Sequence, residues 1–141
     1  MAHAAHIRDG FHTVTPYLTV DDAPGLIDFL RQVFAAEEVR RDRHPDGSIM
    51  NAELRIGDSI VELSQASARW AATPAALHIY VPDTDAAYNR AIQAGAATLY
   101  EPADMPYAER SAGVRDPFGN TWFIATFQPE RRAEEAVPAG S

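Results

Sequence analysis

The feature that most narrows what this chain can become is an internal repeat. The segment starting at Tyr17 and the segment starting at His78 run in parallel when one is shifted by 61 positions. Val20 then falls on Val81, Asp22 on Asp83, and Phe34-Ala35-Ala36 on Gly95-Ala96-Ala97. Both halves also end alike, with a Gly–polar turn (Gly57-Asp58-Ser59 and Gly119-Asn120-Thr121) leading into an apolar strand. Identity between the halves is low, so pattern carries the repeat. A repeated supersecondary unit sets the architecture before any single residue does.

Each half reads as βαβββ. A short alternating strand opens it, Thr15–Val20 and Ala76–Val81. A helix follows. In the first half Asp22 precedes Pro24, and Leu26, Ile27, Leu30, Val33 and Phe34 make an apolar stripe. In the second half Asp83 or Thr84 supplies the cap, Tyr88, Ala91 and Ile92 face inward, and Gly95 stops the helix. Three strands complete each unit: Glu38–Arg43, Ile49–Ile56 and Ser59–Ser64, then Thr98–Glu101, Ser111–Arg115 and Thr121–Phe127. Pro45-Asp46-Gly47 is a hairpin turn. The expected layout is an N-terminal extension at 1–11, a first module at 12–65, a linker at 66–74, a second module at 75–128 and a disordered tail at 129–141.

Composition removes several function classes. There is no cysteine, which excludes disulfides, thiolate nucleophiles and zinc–cysteine sites. A net charge of −8 lacks the basic footprint of a nucleic-acid binder. No apolar run approaches the roughly 20 residues a membrane span needs, and Met1 to Gly10 has no apolar core of a secretory signal. A cytoplasmic protein is expected. P-loop, GxGxxG, GxSxG and HExxH motifs are absent.

Four segments carry a resemblance: Thr15-Pro16-Tyr17-Leu18, Phe34-Ala35-Ala36, Leu54-Arg55-Ile56-Gly57-Asp58-Ser59, and Tyr107 to Arg115 running into Asp116-Pro117-Phe118-Gly119-Asn120-Thr121-Trp122. With the repeat, they resemble the vicinal oxygen chelate superfamily, the glyoxalase and bleomycin-resistance fold, and most of all its PhnB-like branch, over roughly residues 12 to 128. Ala108 departs from it, standing where relatives usually have Gly. The resemblance implies an α+β fold of two tandem βαβββ modules whose mixed sheets form an open, cup-shaped barrel with helices outside. It also implies ligand slots on the first and last strand of each module, where metal-using members keep His and Glu around a divalent ion.

Those slots hold Thr15, Glu62, Ala76 and Phe123 here, so one of four is a strong ligand. The expected site is therefore metal-free and carries no cofactor, with a divalent metal ion as the alternative. His78, two residues from Ala76, shares its strand face and is expected to reach toward Glu62. Alternation places Tyr17, Tyr80 and Phe123 as flat walls and Asn51, Glu53 and Arg110 as polar points, with Arg110 either clamping a ligand anion or paired to a neighbouring carboxylate. Trp122, on the opposite face, is assigned to the core, and Trp70 and Tyr107 to loops at the mouth. Two functions follow. One is a homodimer holding a small organic molecule, as drug-sequestering members do. The other is an enzyme of lyase, isomerase or dioxygenase type with Glu62 or His78 as catalytic base, or as part of a non-standard metal site. No nucleic acid and no membrane is expected as partner.

Overall fold

The computed structural model describes residues 4–131 and divides into two compact units between Pro74 and Ala75. The first contains β1 (Tyr17–Val20), α1 (Ala23–Phe34), β2 (Glu37–Arg43), β3 (Ile49–Ile56) and β4 (Ser59–Gln65). The second contains β5 (Ala76–Tyr80), α2 (Thr84–Gln93), β6 (Ala97–Met105), β7 (Glu109–Arg115) and β8 (Thr121–Phe127). Each unit has one four-stranded mixed sheet, ordered β1-β4-β3-β2 and β5-β8-β7-β6. The first strand of each sheet runs parallel to the last and the other pairings are antiparallel. Neither sheet closes into a barrel. The expected two-module α+β fold is the one observed.

Local chemistry explains the helices. Asp22 caps α1 by accepting from the Gly25 amide at 2.9 Å, and Asp83 caps α2 by accepting from the Ala86 amide at 3.1 Å. The repeat extends to the ties between helix and sheet. The Ala23 amide donates to the Gln65 side chain at 2.9 Å, and 61 residues on the Thr84 amide donates to the Thr126 hydroxyl at 3.1 Å. All five stripe residues of α1 are buried, with Phe29 added to them. In α2 the stripe is Thr84, Ala87 and Ala91 instead; Ile92, expected inward, is 38% exposed. Small residues let α2 approach its sheet, and Ile92 lies one step beyond the contact.

Each helix covers one sheet face. Leu18, Val20, Leu54 and Leu63 fill the core beneath α1; Val114, Trp122 and Ile124 do so beneath α2. Trp122 is 1% exposed, and its indole N–H donates to Asp116 at 2.8 Å. Asp116 also accepts from the amides of Phe118 and Asn120, so this turn is organised around one buried carboxylate.

Some boundaries move. β6 is nine residues rather than four, and β7 begins at Glu109 rather than Ser111. In the linker, Thr73 bridges to Thr19. Pro129–Arg131, expected to be disordered, forms a short 3-10 turn, while the rest of the expected tail lies outside the described residues. No helix among the described residues is long and apolar enough to cross a membrane.

Candidate ligand-binding faces

The sheet faces turned away from the helices carry most of the candidate residues. In the first unit, register sets Tyr17 beside Glu62 and Glu62 beside Glu53, all on one face. Asn51 donates from Nδ2 to Glu62 Oε1 at 3.1 Å, so these two candidates are brought together. Glu53 is 4% exposed and already engaged, since Arg8 of the N-terminal segment donates to its Oε2 at 2.7 Å. That segment, expected to be an extension, is thereby part of the first unit's open face. A one-residue bulge opposite Asp42 and Arg43 turns Met50 outward while Ile49 enters the core.

Beside this cluster lies a cleft of about 700 Å³. Its apolar walls are Tyr17, Met50 and Trp70, which are 52%, 45% and 65% exposed. Thr19, His44 and Ser64 add polar groups. Trp70, expected at the mouth, is held by its amide bond to the Ser67 hydroxyl, and the Arg69 guanidinium lies 5.4 Å from its ring. A smaller recess of about 330 Å³ gathers His6, His12 and Glu62.

In the second unit His78 is the register partner of Phe123, and Tyr80 that of Ala125. His78 finds its partner within its own unit, Glu109, at 3.3 Å. Tyr80 donates its hydroxyl to the same carboxylate at 2.5 Å. That bond lifts the Tyr80 phenol above its ordinary value, with burial and the Glu109 charge adding to the effect. Tyr100 lies over Gly113, where a Cβ would sit 2.5 Å from its ring, and bonds the Ser111 hydroxyl at 2.7 Å.

Arg110 requires a correction. It was expected on the open face, but its main chain accepts from the Thr84 hydroxyl and its guanidinium holds Asp85 of α2 through two bonds, at 2.6 and 3.0 Å, and Asp104 at 3.2 Å, so that the alternative of a neighbouring carboxylate partner holds while the face does not. Both carboxyls are thereby held below the usual carboxylate range. The reason is register. A uniform shift of 61 would pair Val114 with Phe123, as Glu53 pairs with Glu62, yet Gly113 is Phe123's partner. The connection between β7 and β8 is laid out differently, and one residue of slip exchanges the two faces of β7. Glu109, Ser111 and Gly113 therefore take the open face, and Arg110, Ala112 and Val114 the helix face.

Glu109 was missed for that reason. The signal available in the sequence was the turn before β8, where Gly119 follows Gly57 by 62 positions, one more than the 61 of the repeat.

The four metal slots do not fit a family-type ion. Thr15 precedes β1, Ala76 and Phe123 offer no donor, and Glu62 stands alone among them. Among the described residues no group of three or more His, Asp or Glu side chains is placed to hold a metal.

Comparisons with known proteins agree with this fold. TioX from Micromonospora sp. ML1 superposes with a TM-score of 0.69 at 25% identity, covering 82% of this chain and 98% of that one. A PhnB protein from Bacillus cereus superposes with a TM-score of 0.64 at 15% identity, covering 82% of this chain and 99% of that one, a likeness of fold. The model of the Glyoxalase/Bleomycin resistance protein/Dioxygenase superfamily matches residues 4–124, and the chain belongs to that family. An uncharacterized protein from Mycobacterium bovis is 36% identical over 129 residues, covering 84% of each chain.

Proposed function

We propose that this protein is a cytoplasmic, homodimeric binder of a small organic molecule, held without metal on the open sheet face of the first unit, in the manner of drug or metabolite sequestration. The observation that carries this reading is the cleft beside Tyr17 and Trp70. Its volume is within the range of small-ligand sites, and its composition, apolar and aromatic walls with a few polar groups, is what such sites use. Aromatic side chains exposed at such a cleft keep contact area available for a flat ligand at little entropic cost. Asn51 and Glu62 beside Tyr17 supply directional contacts.

The test is a thermal-shift panel of flat amines and carboxylates, read alongside Trp70 fluorescence. Trp122, being buried, serves as a constant background. A binder should raise the melting temperature and change Trp70 emission, and Tyr17→Ala or Trp70→Ala should weaken it by about tenfold. Binding that both variants leave intact would overturn the cleft assignment. A stoichiometric divalent ion in protein purified without chelator would overturn the metal-free reading.

The second reading is an enzyme with Glu62 or His78 as base. What favours it is that each has an orienting neighbour, Asn51 for Glu62 and Glu109 for His78. Turnover of a bound compound, lost in Glu62→Gln or His78→Gln while binding persists, would establish it over sequestration.

A further inference from the structure

Glu109 is a buried carboxylate outside the cleft. Its side chain is 10% exposed, and its two oxygens face two different rings. Oε2 accepts the Tyr80 hydroxyl at 2.5 Å and Oε1 lies 3.3 Å from His78 Nε2. The two rings pack edge to face with centroids 4.9 Å apart. Both reach solvent, Tyr80 at 63% exposure and the His78 side chain at 45%. A negative charge therefore sits under a pair of accessible rings, and Phe123, beside His78, continues the surface with a half-buried aromatic.

The protons on these rings follow from the carboxylate. With Glu109 ionised its oxygens only accept, the His78 tautomer that satisfies this contact carries its proton on Nε2, and in that neutral ring Nδ1 is an acceptor. The one Tyr80 hydroxyl proton is directed to Glu109, which leaves its oxygen with lone pairs to offer. The nearest cation in sequence, Arg110, is turned to the helix face and held by Asp85 and Asp104. With His78 neutral, what remains to meet a ligand is a set of acceptors and aromatic faces above a carboxylate that the Arg110 guanidinium does not offset. Such a surface is complementary to a flat cation bearing N–H donors, through cation–π attraction and charge-assisted hydrogen bonds.

We propose that Tyr80 and His78, anchored by Glu109, form a binding site on the second unit for a flat organic cation of the amidinium or arylammonium class. Glu109 is the positioning residue, directing the hydroxyl proton of Tyr80 and the Nε2 proton of His78 inward and supplying the charge. All three residues belong to the second unit.

The experiment titrates the full chain with benzamidine, using benzamide and benzoate as neutral and anionic controls of similar shape, and follows the side-chain resonances of His78 and Tyr80. Benzamidine should shift both and bind about tenfold or more tightly than either control. Glu109→Gln, which keeps the shape and removes the charge, should lose that preference. In the unliganded protein a long-range nitrogen–proton spectrum should show the His78 proton on Nε2, exchanging faster in Glu109→Ala. Benzoate or benzamide binding as tightly as benzamidine, an undiminished preference in Glu109→Gln, or shifts confined to Tyr17 and Trp70 would each overturn the proposal. Trp70 emission reports the cleft separately, so failure of one site is distinguishable from failure of the other.

Discussion

At Ala35 the chain leaves α1 through a left-handed residue, φ 55°, that is exposed to solvent. Glycine occupies that region without the steric conflict that costs an L-residue about 1–2 kcal/mol. Ala35→Gly removes no buried surface and should stabilise the protein by about 1 kcal/mol in urea unfolding. Ala108 is also left-handed, φ 58°, but its methyl group is fully buried. Relieving strain there would forfeit about 0.8 kcal/mol of burial, so Ala108→Gly should be close to neutral. The same scale shows what single residues disclosed. Phe123, by alternation with Trp122, was readable as an open-face aromatic. The four contacts of Asp116, to the amides of Phe118 and Asn120 and to the side chains of Asn120 and Trp122, were not readable, because hydrogen bonds that close a turn depend on its folded path.

Between elements, packing of one strand on the next decides more than composition does. Tyr100 of β6 crosses β7 at Gly113, and an added methyl would overlap its ring. Gly113→Ala should cost about 1–3 kcal/mol, the range for overpacking, and should alter the environment of Tyr100 and Ser111 in an NMR spectrum. Arg110 ties α2 to the β6–β7 hairpin through Asp85 and Asp104. Arg110→Gln should lower stability at neutral pH by about 1 kcal/mol, the pair with Asp85 being screened because that carboxyl is half exposed. The sign with pH is set by Asp85, whose carboxyl is depressed by the guanidinium. Its contribution is present above the ordinary carboxylate value and is lost as pH falls through the depressed one. The difference between wild type and Arg110→Gln should therefore disappear in strongly acidic solution. Binding in the cleft should be unchanged in this variant, since the side chain lies on the helix face of the other unit.

For the molecule as a whole, the acidic charge and the apolar side chains on two edge strands pull in different directions. β1 and β2 are the edge strands of one sheet, β5 and β6 of the other, and Val39 and Leu99 on those edges are 45% and 42% exposed. Apolar side chains exposed on β2 and β6 favour association, while a net charge of −8 opposes indiscriminate aggregation. A discrete dimer satisfies both, and sedimentation should give twice the chain mass; a monomer at micromolar concentration would exclude it. The architecture at this scale was legible in the sequence because the repeat is a property of pattern. Period-two strands and a capped amphipathic helix recur at an offset of 61 and the Gly–polar turns at 62, and each is a local physical requirement that any folded form of the chain must meet. The sites were legible only in part. Tyr17, Glu62, Asn51 and His78 fall on open faces because alternation within a strand is local. Arg110 and Glu109 exchanged places because the face a strand presents depends on its register with a neighbour, set by a connection whose path no periodicity encodes. Likewise, Arg8 reaches Glu53 across 45 positions of sequence and Tyr80 reaches Glu109 across 29, pairings that exist only once the sheet has brought those residues together.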